Sequence, residues 1–112
     1  MNEADRHQQS IEYALEVLQR EEYLPYIEAI YLFGSYARKT HTQESDVDIL
    51  VQCNEQFTPR IGRQMRVAAM PSELAFPEVE LKFVVGDDWT QKDDQFSRNL
   101  TKDGVLLWKK EN

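Results

Sequence analysis

Helices alternating with strands in one domain is the architecture this sequence predicts, and three observations carry the prediction. Apolar residues recur at two periods, about 3.6 and 2, in regular succession along the chain. Turn and cap residues punctuate the segments. A chain of 112 residues with 41% hydrophobic and 29% charged side chains can build one modest core and is too apolar to stay disordered.

Ile11, Ala14, Leu15 and Leu18 follow the i, i+3, i+4, i+7 rule, which predicts an amphipathic helix over about residues 3–20. Pro25 closes the connection that follows. Residues 27–33, Ile-Glu-Ala-Ile-Tyr-Leu-Phe, read as a buried strand running into Gly34-Ser35, where a short helix begins and ends near the polar loop Thr40–Glu44. Val47, Ile49 and Val51 then alternate with Asp46, Asp48 and Leu50, the period of a strand. Thr58-Pro59 supplies an N-cap hydroxyl and a first-turn proline to a helix with Ile61, Met65, Ala68 and Ala69 on its apolar stripe. Residues 71–77 form a loop, and 79–85 a third strand stopped by Gly86-Asp87-Asp88. A last helix is expected from about Thr90 to Lys102, with Phe96 and Leu100 facing inward and Gly104 at its C-cap. Val105 to Trp108 can add an edge strand. Taken alone, this alternation points to a parallel α/β sheet.

The chemistry concentrates between Gly34 and Val51. Asp46 and Asp48 are two apart in a strand, so both carboxylates leave the same face. Aspartate is poor inside strands, and like charges held that close repel unless one is protonated or a cation sits between them. Mg²⁺ is commonly held by one or two carboxylates plus substrate phosphates, which is the inventory here. Ten residues upstream, Gly34-Ser35 opens a helix, where backbone N–H groups and a hydroxyl can meet a phosphate oxygen. A Gly-Ser turn alone is a weak signal; at this offset from Asp-x-Asp it is a strong one.

The spacing Gly-Ser-x10-Asp-x-Asp resembles the signature of the DNA polymerase beta nucleotidyltransferase superfamily, and the short chain is similar to its minimal nucleotidyltransferase (MNT) branch. That resemblance, rather than the alternation, implies an α+β fold for residues 1–112: a small mixed sheet with helices packed on one side. It implies two Mg²⁺ ions on Asp46 and Asp48, with a third acidic residue on the next strand as general base or metal ligand. Glu80 fits that position, flanked by Val79 and Leu81 as Asp48 is by Val47 and Ile49; Glu78 is the rival on the same strand face. Relatives more often carry aspartate there. Gly34 and Ser35 would bind the triphosphate and Arg38, one turn on, a phosphate; Lys39 stands where many relatives have glycine.

The reaction implied is transfer of a nucleoside monophosphate, AMP from ATP or another triphosphate, to an acceptor hydroxyl. MNT proteins are similar to the antitoxins of HEPN/MNT toxin–antitoxin pairs, so a tyrosine on a HEPN toxin is the expected acceptor. Two alternatives stay open: a non-catalytic binding module, and part of a small-molecule, aminoglycoside-type nucleotidyltransferase. The net charge of −7, from 20 acids against 13 bases, disfavours a long nucleic acid, whose phosphates dominate affinity. A polar N-terminus and the lack of a membrane-length apolar run make the cytoplasm the expected location and exclude a membrane partner; a homo-oligomer is left open.

Other residues read as structural. Cys53 has no partner for a disulfide and no zinc spacing around it. Trp89 and Trp108 read as core or sheet-edge residues, and His7 and His41 suggest no ligand constellation. Tyr36 could stack on a nucleotide or simply pack. Arg60, Arg63 and Arg66 form a basic face on the middle helix, read as solvated, with a nucleotide or acidic partner as the alternative.

Overall fold

The computed structural model describes residues 5–73, 75–90 and 94–111. Asp5 caps the first helix, α1 (Arg6–Leu18), by accepting from the His7 backbone N–H, and Ile11, Ala14, Val17 and Leu18 are its buried face. A 3₁₀ turn, Leu24–Tyr26, leads into β1 (Ile27–Phe33). The helix α2 (Gly34–Arg38) follows without a break, and β2 (Val47–Cys53) returns antiparallel to β1. Thr58 accepts from the Ile61 N–H to start α3 (Pro59–Ala69). This helix crosses to β3 (Val79–Val85), which runs parallel to β2. A second 3₁₀ turn, Asp88–Thr90, precedes α4 (Gln95–Asp103), and β4 (Val105–Lys109) closes against β1.

The sheet order is β3-β2-β1-β4, with one parallel and two antiparallel pairings. The sheet is therefore mixed and the fold α+β, not the parallel sheet that alternation alone suggests. The parallel step comes where the 11-residue α3 crosses between β2 and β3, while the 5-residue α2 only turns the chain back antiparallel.

Alternation along each strand sorts the two faces. Val47, Ile49, Val51 and Cys53 point to the layer that holds α1 and α3, with Met65, Leu81 and Ile30 in the same core. Tyr31, Phe33 and Leu50 point the other way, where Trp89, Phe96 and Leu100 cover them. The two longest helices share one face, whereas α4 lies over the other. This corrects the expectation that the helices pack on one side: an apolar stripe says that a helix packs, not on which side of the sheet.

The last helix begins at Gln95, where the Asp94 side chain accepts from the Ser97 N–H, rather than at Thr90. Positions 91–93 of that expectation lie outside the described residues. Among the described residues no helix is long and apolar enough to cross a membrane.

Candidate active site

Three consecutive strands of the sheet bring the acidic residues together. Asp48 on β2 pairs in register with Phe33 on β1 and with Glu80 on β3. Gly34 follows Phe33 directly, so it comes to lie over the Asp48 carboxylate. Its φ of +78° belongs to the left-handed region, and a Cβ added there would overlap Asp48 Oδ2 and come within 2.9 Å of Cγ. Glycine is required twice at this position, for the turn and for the close approach.

Glu80 stands on the opposite flank of Asp48. Burial is the first reason the Asp48 carboxyl is pushed up, to about 6; the negative charges of Glu80 and then Asp46 add to it, and Arg38 opposes the rise. Asp46, Asp48, Arg38 of α2 and Glu80 of β3 therefore sense one another. Glu78 is not among the groups acting on Asp48; its carbonyl accepts from the Val47 N–H at 2.8 Å at the mouth of the strand pair.

The flank of Asp48 opposite Glu80 is built by α2, which continues from β1. Phe33 at its N-cap offers no side-chain acceptor to the first-turn N–H groups. Among the described residues the Ser35 hydroxyl has no hydrogen-bond partner either. Lys39 ends the helix at φ 62°, a left-handed residue that is not glycine, and its N–H caps the turn onto Ser35 and Tyr36 carbonyls.

Among the described residues no three acidic, histidine or cysteine side chains converge tightly enough to enclose a metal by themselves. The donor set nonetheless fits a hard cation. Asp46 and Glu80 are exposed and Asp48 half-buried, so phosphate oxygens and water could complete the shell, as Mg²⁺ prefers. Asp46, Asp48 and Glu80 are the residues that could hold it.

A cluster that sequence reading missed braces this site from behind. His7 of α1 stacks on Tyr36 of α2 with centroids 5.3 Å apart and planes 8° from parallel, and His41 tilts against both. The Tyr36 hydroxyl donates to Asp5 at 2.7 Å, and His7 Nε2 lies 2.9 Å from the Ser45 carbonyl. Burial, with Asp5 beside it, pushes the Tyr36 phenol up to about 12. Tyr36 is thereby committed to packing, not to a nucleotide base. The Tyr36 hydroxyl and Asp5 are 31 positions apart, and nothing in the sequence signalled the contact. Cys53 is buried, with its thiol pushed up to about 12 by burial, in keeping with a structural role.

A family model described as "Polymerase beta, Nucleotidyltransferase" matches residues 12–112. The chain belongs to the polymerase beta nucleotidyltransferase family. Two Methanocaldococcus jannaschii proteins, both provisionally named protein adenylyltransferases, are similar in sequence. MJ0604 is 33% identical over 84 residues, covering 73% of this chain and 79% of its own. MJ1379 is 34% identical over 55 residues, covering 49% of this chain; the matched stretch spans only 55% of that protein. Solved nucleotidyltransferase folds superpose over nearly the whole chain. A provisionally named nucleotidyltransferase from Sulfolobus solfataricus has TM-score 0.61 at 20% identity, covering 98% of this chain and 93% of its own. A toxin–antitoxin complex with AMP-PNP gives 0.63 at 22%, covering 89% and 73%. A mutant of the toxin–antitoxin pair MntA–HpeT gives 0.61 at 18%, covering 96% and 75%. At such identities the likeness speaks for the fold of this nucleotidyltransferase family member.

Proposed function

We propose that this nucleotidyltransferase transfers AMP from ATP to a tyrosine hydroxyl of a partner HEPN-type toxin in the cytoplasm, and so acts as an antitoxin. The observation that carries the reading is the register of β1, β2 and β3. It sets Gly34, Asp48 and Glu80 side by side in that order.

Each residue has a task in this reading. Gly34 lets the backbone approach the triphosphate, and the Ser35 hydroxyl and first-turn N–H groups of α2 receive its outgoing phosphates. Arg38 steadies them with its guanidinium. Asp46 and Asp48, with Glu80 beside them, would hold Mg²⁺, which when bound lowers the acceptor hydroxyl's pKa and stabilises the leaving oxygen. Glu80 accepts the acceptor's proton as its oxygen attacks the α-phosphorus.

The choice of a protein acceptor is supported by the names of the two Methanocaldococcus relatives and by the open, exposed setting of Asp46 and Glu80. The net charge of −7 argues against a long nucleic acid. A half-buried Asp48 carboxyl, destabilised by burial and by its acidic neighbours, favours catalysis over passive binding.

The test is to incubate the protein with its toxin partner, ATP and Mg²⁺ and weigh the partner intact. One or more AMP units on a tyrosine, absent with Asp48→Asn, is the expected result. Full neutralisation with no mass change would instead establish passive binding.

A further inference from the structure

Strand order places Gly34-Ser35 and Glu80 on opposite flanks of Asp48. In an in-line displacement the leaving pyrophosphate and the attacking hydroxyl stand on opposite sides of the α-phosphorus. Gly34 and Ser35 continue from β1, on one flank of Asp48, and Glu80 lies on β3, on the other. On the nucleotidyl-transfer reading the acceptor's side is then that of β3, which is an edge of the sheet. A cavity of about 330 Å³ lies there, between the start of β3 and the end of α3. It is lined by Asp46, Glu78 and Glu80 together with Arg66 and Met70.

Arg66 is held at this edge. Its Nε and Nη2 both donate to the Leu81 carbonyl at 3.4 Å, and its guanidinium sits 5.0 Å from the centre of the Phe83 ring. The Val47 N–H bonds to the Glu78 carbonyl, so Glu78, Glu80 and Lys82 turn their backbone groups toward β2, while Leu81 presents its carbonyl to the open edge. Arg66 thus occupies the edge and lines the groove beside it. Met70, four residues on, stands on the same side and is 42% exposed.

We propose that this groove is the acceptor subsite, and that Arg66 and Met70 seat an uncharged aromatic hydroxyl, a phenol, with its oxygen toward Glu80. The inference rests on the nucleotidyl-transfer reading above and adds where the acceptor binds and what selects it. A guanidinium plane and a thioether both favour an aromatic ring. Three carboxylates in the same wall repel an anionic acceptor and leave a neutral one. In the step itself the phenol oxygen forms a bond to the α-phosphorus and the bond to pyrophosphate breaks. The phenolic proton passes to Glu80, and pyrophosphate departs toward Ser35.

Two measurements test this. The first is independent of catalysis: titrate the protein with p-cresol and follow the methionine methyl resonances by NMR. The Met70 methyl should move by ring current and saturate while buried Met65 stays still, and Arg66→Ala should weaken binding ~10-fold. Arg66→Lys, which keeps the charge and loses the plane, should weaken it comparably and guards against misfolding of the alanine variant. The second uses the toxin partner as acceptor. Either variant should raise KM for the partner ~10-fold with kcat within about twofold and Mg²⁺–ATP affinity unchanged. A Met70 methyl that does not respond to p-cresol, or variants with unchanged KM, overturns the subsite. Absence of any transfer by the wild-type protein, with the Met70 response intact, overturns the nucleotidyl-transfer reading and leaves the phenol site standing.

Discussion

Asp48 concentrates the conflict between stability and function in one side chain. Burial and the neighbouring carboxylates lift its pKa from the ordinary 3.8 to about 6. The folded value lies above the unfolded one, so folding takes up a proton in that window and stability is lost as pH rises through it. At neutral pH the metal-free protein therefore carries a penalty that Asp48→Asn removes. Because the group is half exposed the effect is screened. A rise in Tm of a few degrees, on the order of 1 kcal/mol or less, is expected above pH 7 and should vanish below about pH 4. Glu80→Gln separates binding from chemistry. Mg²⁺–ATP affinity, carried chiefly by Asp46 and Asp48, should largely survive while transfer falls by ~100-fold, as for loss of a general base. Glu78→Gln should leave turnover near wild type. Loss in Glu78→Gln with full activity in Glu80→Gln would hand the role to Glu78.

The short helix α2 and the turn that opens it carry the next set of consequences. Gly34→Ala adds a left-handed strain of about 1–2 kcal/mol and drives a methyl into the Asp48 carboxylate. Denaturant unfolding should show a loss of ~2 kcal/mol or more, with no measurable transfer. Lys39→Gly relieves the one left-handed residue other than glycine among those described, at φ 62°. It should gain about 0.5–1 kcal/mol in the same experiment. Element by element, the sequence was informative where a single physical cause sets a boundary. The strands 27–33 and 79–85 stand where apolar runs meet turn residues, and both match the observed β1 and β3. The start of α4 was misplaced because its cap, Asp94, is one polar residue among several and only its bond to the Ser97 N–H singles it out. Leu50 held an unread clue. It shares the face of Asp46 and Asp48, and its burial under Trp89 and Leu100 is what draws α4 to that side.

At the scale of the molecule, one order of strands, β3-β2-β1, places acceptor groove, carboxylates and phosphate turn in a line. The carboxylates and the turn were legible beforehand, because Asp-x-Asp and Gly-Ser sit within one segment of sequence. The groove was not: Arg66 and Glu80 come together through a parallel crossover, and a basic helix face looks solvated until the sheet edge beside it is known. The bracing of α1 by His7, Tyr36 and His41 was hidden for the same reason. The central claim is that Asp48 of β2, with Asp46 just before the strand, binds the nucleotide through a metal ion. Calorimetric titration with ATP, with and without Mg²⁺, tests it most directly. The wild-type protein should bind tightly only with Mg²⁺, and Asp46→Asn with Asp48→Asn should abolish the metal-dependent part, on the order of tenfold or more in affinity. Metal-dependent binding that is unchanged in the double variant would contradict the account.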